Sequence, residues 1–206
     1  MSIYRDHIFP WVIEVEMSRR AMREQRAALL ARVSGRILEL GFGTGLNLPH
    51  YPDHVREIVA VEPNLGMSSV ARRRLERSPI RVHARALNPD LTLPFDSGEF
   101  DTVVTSWTLC TIPDLGSALR EVARVLKPRG RFLYLEHGLS PDKRVQRLQR
   151  LLEPVSRRLY DGCHLTRDIA AEVRASPLAL DTDERFQLRR TPRFCGTMYR
   201  GVAVKR

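Results

Sequence analysis

From residue 36 onward, short apolar runs alternate with longer segments whose apolar positions recur every three to four residues. The short runs predict strands at Arg36–Leu40, Ile58–Val61, Ile80–Ala84, Asp101–Thr105 and Arg131–Leu135. Leu65–Arg77 reads as a helix, with Met67, Val70, Ala71 and Leu75 on one face. Leu115–Leu126 reads as a second, with Leu115, Leu119, Val122, Ala123 and Leu126 on one face, Asp114 suited to its N-cap and Pro128 to stop it. Alternation of this kind predicts an α/β fold with a mostly parallel sheet.

The flanks read differently. Residues 12–33 form a breaker-poor run closed by Gly35, which predicts a helix. Asp142–Tyr160 is helical in pattern, with Val145, Leu148, Leu152, Val155 and Leu159 on one face and Pro154 expected to kink or divide it. Residues 161–176 read as a loop and a short helix. Residues 184–190 and 197–204 are strand-like with no helix between them, so they are expected to pair antiparallel at the sheet edge.

Composition narrows the class. The 206 residues fit a single domain: an N-terminal helical segment (1–35), a core (36–136), a helical insert (140–176) and C-terminal strands (177–206). With 43% apolar and 28% charged residues, a disordered chain is excluded. Cys110, Cys163 and Cys195 are far apart, odd in number and lack a Cys-x-x-Cys pair, which predicts reduced thiols and a cytoplasmic setting. No secretory signal is expected: the most apolar early stretch, Ile8–Val15, is broken by Pro10 and Glu14. The formal charge of +10 permits an acidic partner, and leaves peripheral membrane contact open. Arg72–Arg74 and the arginines of 143–158 read as solvated helix faces. Without an aromatic-interleaved basic strand, no specific nucleic-acid binding is expected.

The sharpest signal is Glu39-Leu-Gly41-Phe-Gly43-Thr-Gly45-Leu-Asn47, a strand running into three alternating glycines. Glycine is needed where backbone turns tightly and approaches a ligand. Seventeen residues past Gly45, at the end of the next strand, Glu62 is placed to accept both hydroxyls of a ribose. The dinucleotide fingerprint fails, because Leu46 stands where its third glycine belongs, and no P-loop Lys-Ser/Thr follows. Glu39 suits a ligand with an ammonium group and not a pyrophosphate. S-adenosylmethionine has a ribose, a cationic end and no phosphate.

These residues resemble the class I S-adenosylmethionine-dependent methyltransferases, over 36–136. Glu39–Gly45 looks like their first motif and Glu62 like their ribose acid; Leu93–Asp101 and Leu119–Gly130 look like the approaches to their fourth and fifth strands. The resemblance implies a Rossmann-like α/β fold with helices on both faces. It implies a cofactor site of Glu39, Gly41, Gly43, Gly45, Asn47, Glu62 and Ser106. The acid many members use for adenine is missing from His83–Leu87, which leaves backbone near Ala86 and Leu87 for that task. A narrower resemblance, carried by Leu109–Ile112, Glu136-His137, Asp161–Arg167 and Gly201–Lys205, is to methyltransferase-like enzymes acting on small alkyl thiols. Those relatives carry an apolar N-terminal anchor that this sequence does not show, and a cysteine where Phe42 stands here.

Methyl transfer from a sulfonium needs nucleophile, methyl and sulfur held in line, and orientation supplies roughly 7–11 kcal/mol. A strong base is needed only when the acceptor keeps its proton, and a thiol near pKa ~8.5 is already partly ionised. The expectation is a lid at 140–176 over a small-molecule acceptor. Asp161 and Arg167 pair to fix it, His137 or His164 takes the thiol proton, and Trp107 and Thr111 line the pocket. Plainer readings are that His137 is structural, Trp107 packs in the core, and Asp161, His164 and Arg167 cap a loop. Cys163, next to His164, reads as a buried thiol, and Cys110 and Cys195 as packing residues. His137, Cys163 and His164 lack metal-site spacing, so no metal site is expected. The rival functions are a quinone or phospholipid-headgroup methyltransferase, and a non-catalytic nucleic-acid-binding protein on the same fold.

Overall fold

The computed structural model describes residues 14–63, 69–87, 92–160 and 162–206. Helix α1 (Arg20–Leu30) precedes β1 (Ile37–Leu40), β2 (Glu57–Glu62), α2 (Ser69–Arg77), β3 (Arg81–Ala86) and β4 (Phe100–Ser106). Then come α3 (Leu115–Val125), β5 (Leu126–His137), α4 (Lys143–Leu159), α5 (Ile169–Arg174), β6 (Leu178–Gln187) and β7 (Thr197–Lys205). The seven strands form one sheet in the order β3-β2-β1-β4-β5-β7-β6. Pairings among β1 to β5 are parallel, and β7 runs antiparallel to both β5 and β6. The expected antiparallel edge is therefore present, with β6 outermost and starting earlier than its apolar pattern suggested.

Successive residues of a buried strand face opposite sides of the sheet. Leu38, Leu40 and Val103 pack with Leu119, Val122 and Ile169 of α3 and α5, whereas Ile37 and Val104 pack with Met22, Leu29 and Leu30 of α1. Glu39 shares the α1 side with Ile37. Asp114 caps α3 by accepting from the Ser117 N–H at 2.9 Å. Helix α3 ends at Val125, ahead of Pro128. The N-terminal helical pattern is interrupted at Ser18 and Arg19, with residues before 14 outside the described chain.

Two expectations change. Pro154 does not divide the long helix, since α4 runs through it from Lys143 to Leu159. The buried face of α4 is also rotated from the apolar stripe. Val145, Gln149 and Ser156 are buried, while Leu148, Val155 and Leu159 are 43%, 53% and 43% exposed. The reason is hydrogen bonding. Gln149 Nε2 donates to the Gly138 and Phe194 carbonyls, its Oε1 accepts from the Ser140 N–H, and Ser156 Oγ donates to the Cys163 carbonyl. Buried polar groups that are fully bonded compete well with apolar ones for an interior position.

Candidate cofactor and acceptor site

The carboxyl ends of β1, β2 and β4 converge where open α/β sheets place ligands. The glycine turn leaves β1 with Gly41, Gly43 and Gly45 at φ +77°, +54° and +76°, a region favouring glycine. The three have different reasons to be glycine. A Cβ on Gly41 would overlap the Thr108 side chain, and one on Gly45 would lie 2.9 Å from the Phe42 ring. A Cβ on Gly43 would meet no atom of the described residues within 4 Å. Gly43 therefore borders open space at the turn, as a ligand approaching backbone requires. Its N–H donates to Glu62 Oε2 at 2.9 Å, so the acid at the end of β2 is set beside the turn. Ala86 pairs with Glu62 across β2 and β3, and the Leu87 N–H donates to the Glu62 carbonyl.

Glu39 lies beneath the turn. Its Oε1 accepts from Asn47 Nδ2 at 2.9 Å and its Oε2 from the Tyr51 hydroxyl at 2.7 Å. Asn47 also exchanges hydrogen bonds with Ser106 Oγ, which ties β1, the turn and β4 together. Glu39, Asn47 and Ser106 are thus one network, and both Glu39 oxygens already accept bonds inside it. The Arg26 guanidinium, itself buried, stacks 4.5 Å from the Trp107 ring centroid and donates to the Met17 carbonyl. Trp107 sits at φ +53° and is partly buried against the α1-side core. This is the packing that the plainer reading of Trp107 expects. Arg74 departs from the expected solvated face. It donates to the Thr44 carbonyl and pairs with Glu14 at 2.6 Å, clamping the N-terminal segment onto the glycine turn.

Burial pushes the Glu39 carboxyl from an ordinary value near 4.5 up to about 7, against the bonds from Tyr51 and Asn47. The folded state then holds this proton up to about pH 7 and the unfolded state only to about 4.5. Between those values the native chain binds more protons, so stability falls as pH rises, by about 3 kcal/mol in total. Glu39→Gln is expected to remove this component: its denaturant midpoint should gain on the parent's between pH 5 and pH 8. Glu136, pushed up to about 7 by its own burial, titrates the same way in both proteins and cancels in the difference. A midpoint difference independent of pH would show that Glu39 does not titrate in that window.

The acceptor end is built from the loop after β4, the end of β5 and the segment between α4 and α5. Glu136 is buried and its Oε1 accepts from the Thr108 N–H at 3.1 Å; Thr111 Oγ1 donates back to the Thr108 carbonyl. Arg167 Nη1 donates to the Leu109 and Ile112 carbonyls, and the His164 N–H donates to the Cys110 carbonyl. The segment from 162 to 168 is thereby pinned onto the post-β4 loop. Asp161, the expected partner of Arg167, lies outside the described residues.

Each histidine has a close partner. His164 Nδ1 pairs with Glu153 Oε1 of α4 at 2.9 Å, and Glu153 Oε2 accepts from the Thr166 N–H, so this imidazole ties the 162–168 segment to α4. His137 Nε2 lies 2.7 Å from Cys163 Sγ, and His137 Nδ1 is buried with no hydrogen-bond partner among the described residues. Burial lowers the His137 pKa, but the charge and hydrogen bond of Cys163 outweigh it and raise the net value. The Cys110 thiol donates to Cys163, which together with His137 holds the Cys163 thiol well below its usual range, while Cys110 is pushed up. Sequence reading set Cys110 and Cys163 apart as packing residues. Only the fold brings residues 53 positions apart in sequence into one group with His137.

A methyltransferase domain model matches residues 38–134. The chain is 37% identical over 144 residues to thiol S-methyltransferase TMT1B of Rattus norvegicus, covering 66% of this chain and 57% of that protein. It is 31% identical to human thiol S-methyltransferase TMT1B over 177 residues, 78% of this chain and 70% of the relative. A ubiquinone/menaquinone biosynthesis C-methyltransferase, UbiE of Vibrio cholerae, is 36% identical over 64% of this chain and 48% of its own length. The chain therefore spans 48–70% of the length of these relatives. The fold matches the N-methyltransferase NodS of Bradyrhizobium japonicum, solved with S-adenosyl-L-homocysteine, at TM-score 0.67 and 13% identity over 97% of this chain and 93% of that one. Motif, sheet order and relatives agree, and the chain belongs to the class I S-adenosylmethionine-dependent methyltransferases.

Proposed function

We propose that this protein methylates the sulfur of a small, apolar thiol. The observation that carries the reading is that each candidate base described at the acceptor end is either buried or already paired. Among the described residues there, His164 serves Glu153, His137 faces Cys163, and Glu136 is buried on the Thr108 N–H. An acceptor that must ionise unaided has to be acidic. A thiol near ~8.5 meets that condition, whereas a phenol near ~10 or an alkylammonium near ~10.4 is far less ionised at neutral pH. The thiol S-methyltransferases among the relatives support the same choice.

S-adenosylmethionine, when bound, supplies a methyl group on a sulfonium. Gly43 leaves it room, Glu62 accepts its ribose hydroxyls, and backbone at Ala86 and Leu87 meets its adenine. The post-β4 loop and the 162–168 segment would exclude water from the acceptor, and a dry pocket favours a reaction that cancels charge. The test is methyl transfer to an alkyl thiol and a matched phenol across pH. Thiol turnover should rise with thiol ionisation and exceed phenol turnover. Robust methylation of the phenol or of an amine, with none on any thiol, rejects the reading.

The exposed stripe of α4 supports delivery of an apolar acceptor from a membrane surface. Leu148, Leu151, Val155 and Leu159 share that stripe, with exposed Arg147 and Arg158 beside it. Among the described residues no helix is long and apolar enough to cross a membrane. Sedimentation with phosphatidylserine-containing vesicles should exceed that with neutral ones, and Leu151→Asp should reduce it. Equal recovery in the supernatant with both vesicle types rejects membrane contact.

A further inference from the structure

Three soft donors meet beside the acceptor end. Cys110 comes from the loop after β4, His137 from the last position of β5, and Cys163 from the loop between α4 and α5. Their Sγ, ring nitrogen and Sγ atoms all lie within 4.8 Å of one another. All three side chains are buried: Cys110 is 2% exposed, and His137 and Cys163 are each 8% exposed. From this geometry we propose that Cys110, His137 and Cys163 bind one thiophilic divalent cation, zinc, through two thiolates and one imidazole, with a fourth position open.

Zinc holds thiolate sulfur at about 2.3 Å and imidazole nitrogen at about 2.0–2.1 Å, so the edges of a tetrahedral site run to roughly 3.5–3.8 Å. The present separations bracket that range. His137 Nε2 and Cys163 Sγ, at 2.7 Å, must part by under an ångström, and no pair exceeds the target by more than about one. Charge also balances. Two thiolates neutralise the dication, so no net charge is buried, and the thiol protons leave to solvent as the metal enters. Packing alone explains a buried cysteine but gives no reason to gather two of the chain's three with a histidine whose other nitrogen is orphaned. His164 stays with Glu153, and Cys195 lies apart, bonded toward the Pro192 carbonyl. Three protein ligands with a free fourth position is the arrangement of zinc sites that take an exogenous ligand. The three ligands come from three segments, so the cation would also fasten the 162–168 segment to β5. The inference concerns metal binding alone and stands or falls independently of which acceptor is methylated.

The test uses the full chain, stripped with chelator under reducing conditions and titrated with Zn²⁺ against a competing chromophoric chelator. Co²⁺ serves as the spectroscopic probe. One equivalent should bind, with a thiolate-to-cobalt charge-transfer band and tetrahedral ligand-field intensity. Affinity should fall at least about 100-fold in Cys110→Ser and in Cys163→Ser, and stay unchanged in Cys195→Ser. Because the first two variants remove buried contacts, alkylation of the unaltered protein is measured beside them: Zn²⁺ should protect two of its three thiols. Absence of a thiolate–cobalt band, equal affinity in Cys110→Ser, or a Cys110–Cys163 disulfide in the freshly isolated protein would overturn the proposal.

Discussion

Gly43→Val is expected to abolish S-adenosylmethionine binding, a loss above ~100-fold or about 3 kcal/mol, while the chain still folds. Among the described residues, no atom lies within 4 Å of the space above Gly43, so the isopropyl group projects into volume they leave open. That volume lies at the glycine turn beside Glu62, where the ribose and the methionine part of the cofactor must pass. The cost to folding is the backbone: φ is +54°, which a β-branched residue tolerates at roughly 1–3 kcal/mol. A domain with about 5–15 kcal/mol of stability survives that. The neighbouring glycines make the internal contrast. Gly41→Ala places a methyl into Thr108 and should lower the melting temperature more than Gly43→Ala does, because that overlap cannot relax without moving the post-β4 loop. Glu62→Ala should cost roughly 1.5–3 kcal/mol in cofactor affinity, part of it from releasing the Gly43 N–H that Glu62 now holds. Calorimetric titration of each folded variant decides. A folded Gly43→Val that binds within threefold of the parent, or Glu62→Ala within twofold, would remove the cofactor from this place.

The contrast between legible and illegible parts of the molecule follows from the range of the forces involved. Strands β1, β2 and β4 bury both faces, so their apolar residues cluster instead of alternating and stand out without alignment. The glycine turn and Glu62 are legible for a related reason: backbone conformation and a strand terminus are local constraints. Helix α4 misled because its buried face is held by Gln149 and Ser156, whose partners are carbonyls of residues 138, 194 and 163. Nothing in a heptad count distinguishes a satisfied glutamine from a solvated one. Arg74 was hidden in a run of three arginines for the same reason, its partners Glu14 and Thr44 being sixty and thirty residues away. The Cys110–His137–Cys163 cluster needed the sheet order itself, since β4 and β5 are neighbours and only their carboxyl ends bring residues 110 and 137 together.

Arg167→Met is expected to lower thiol methylation about 100-fold while cofactor affinity stays within threefold. Arg167 donates to the carbonyls of Leu109 and Ile112, so one guanidinium defines the distance between the 162–168 segment and the post-β4 loop. Methionine keeps the length and the apolar stem but offers no donor. Two carbonyls then lose their charged partner, at roughly 1–3 kcal/mol each if they stay dry, and the segment lifts to let water reach them. A displacement of about 1 Å at the reacting atoms is enough for a 100-fold loss, because the reaction depends on collinear approach. The cofactor is spared because Gly43, Glu62 and the Glu39–Asn47–Ser106 network lie on β1, β2, β4 and the glycine turn, and none of the hydrogen bonds that build them involves Arg167. Arg167→Lys keeps the charge and can reach one carbonyl at a time, so it should recover part of the rate. The measurement is single-turnover transfer from prebound S-adenosylmethionine to an alkyl thiol, beside calorimetric affinity for the cofactor. Loss of affinity in step with loss of rate would place Arg167 in the cofactor site. Full rate in Arg167→Met would mean that the 162–168 segment does not cover the acceptor at all.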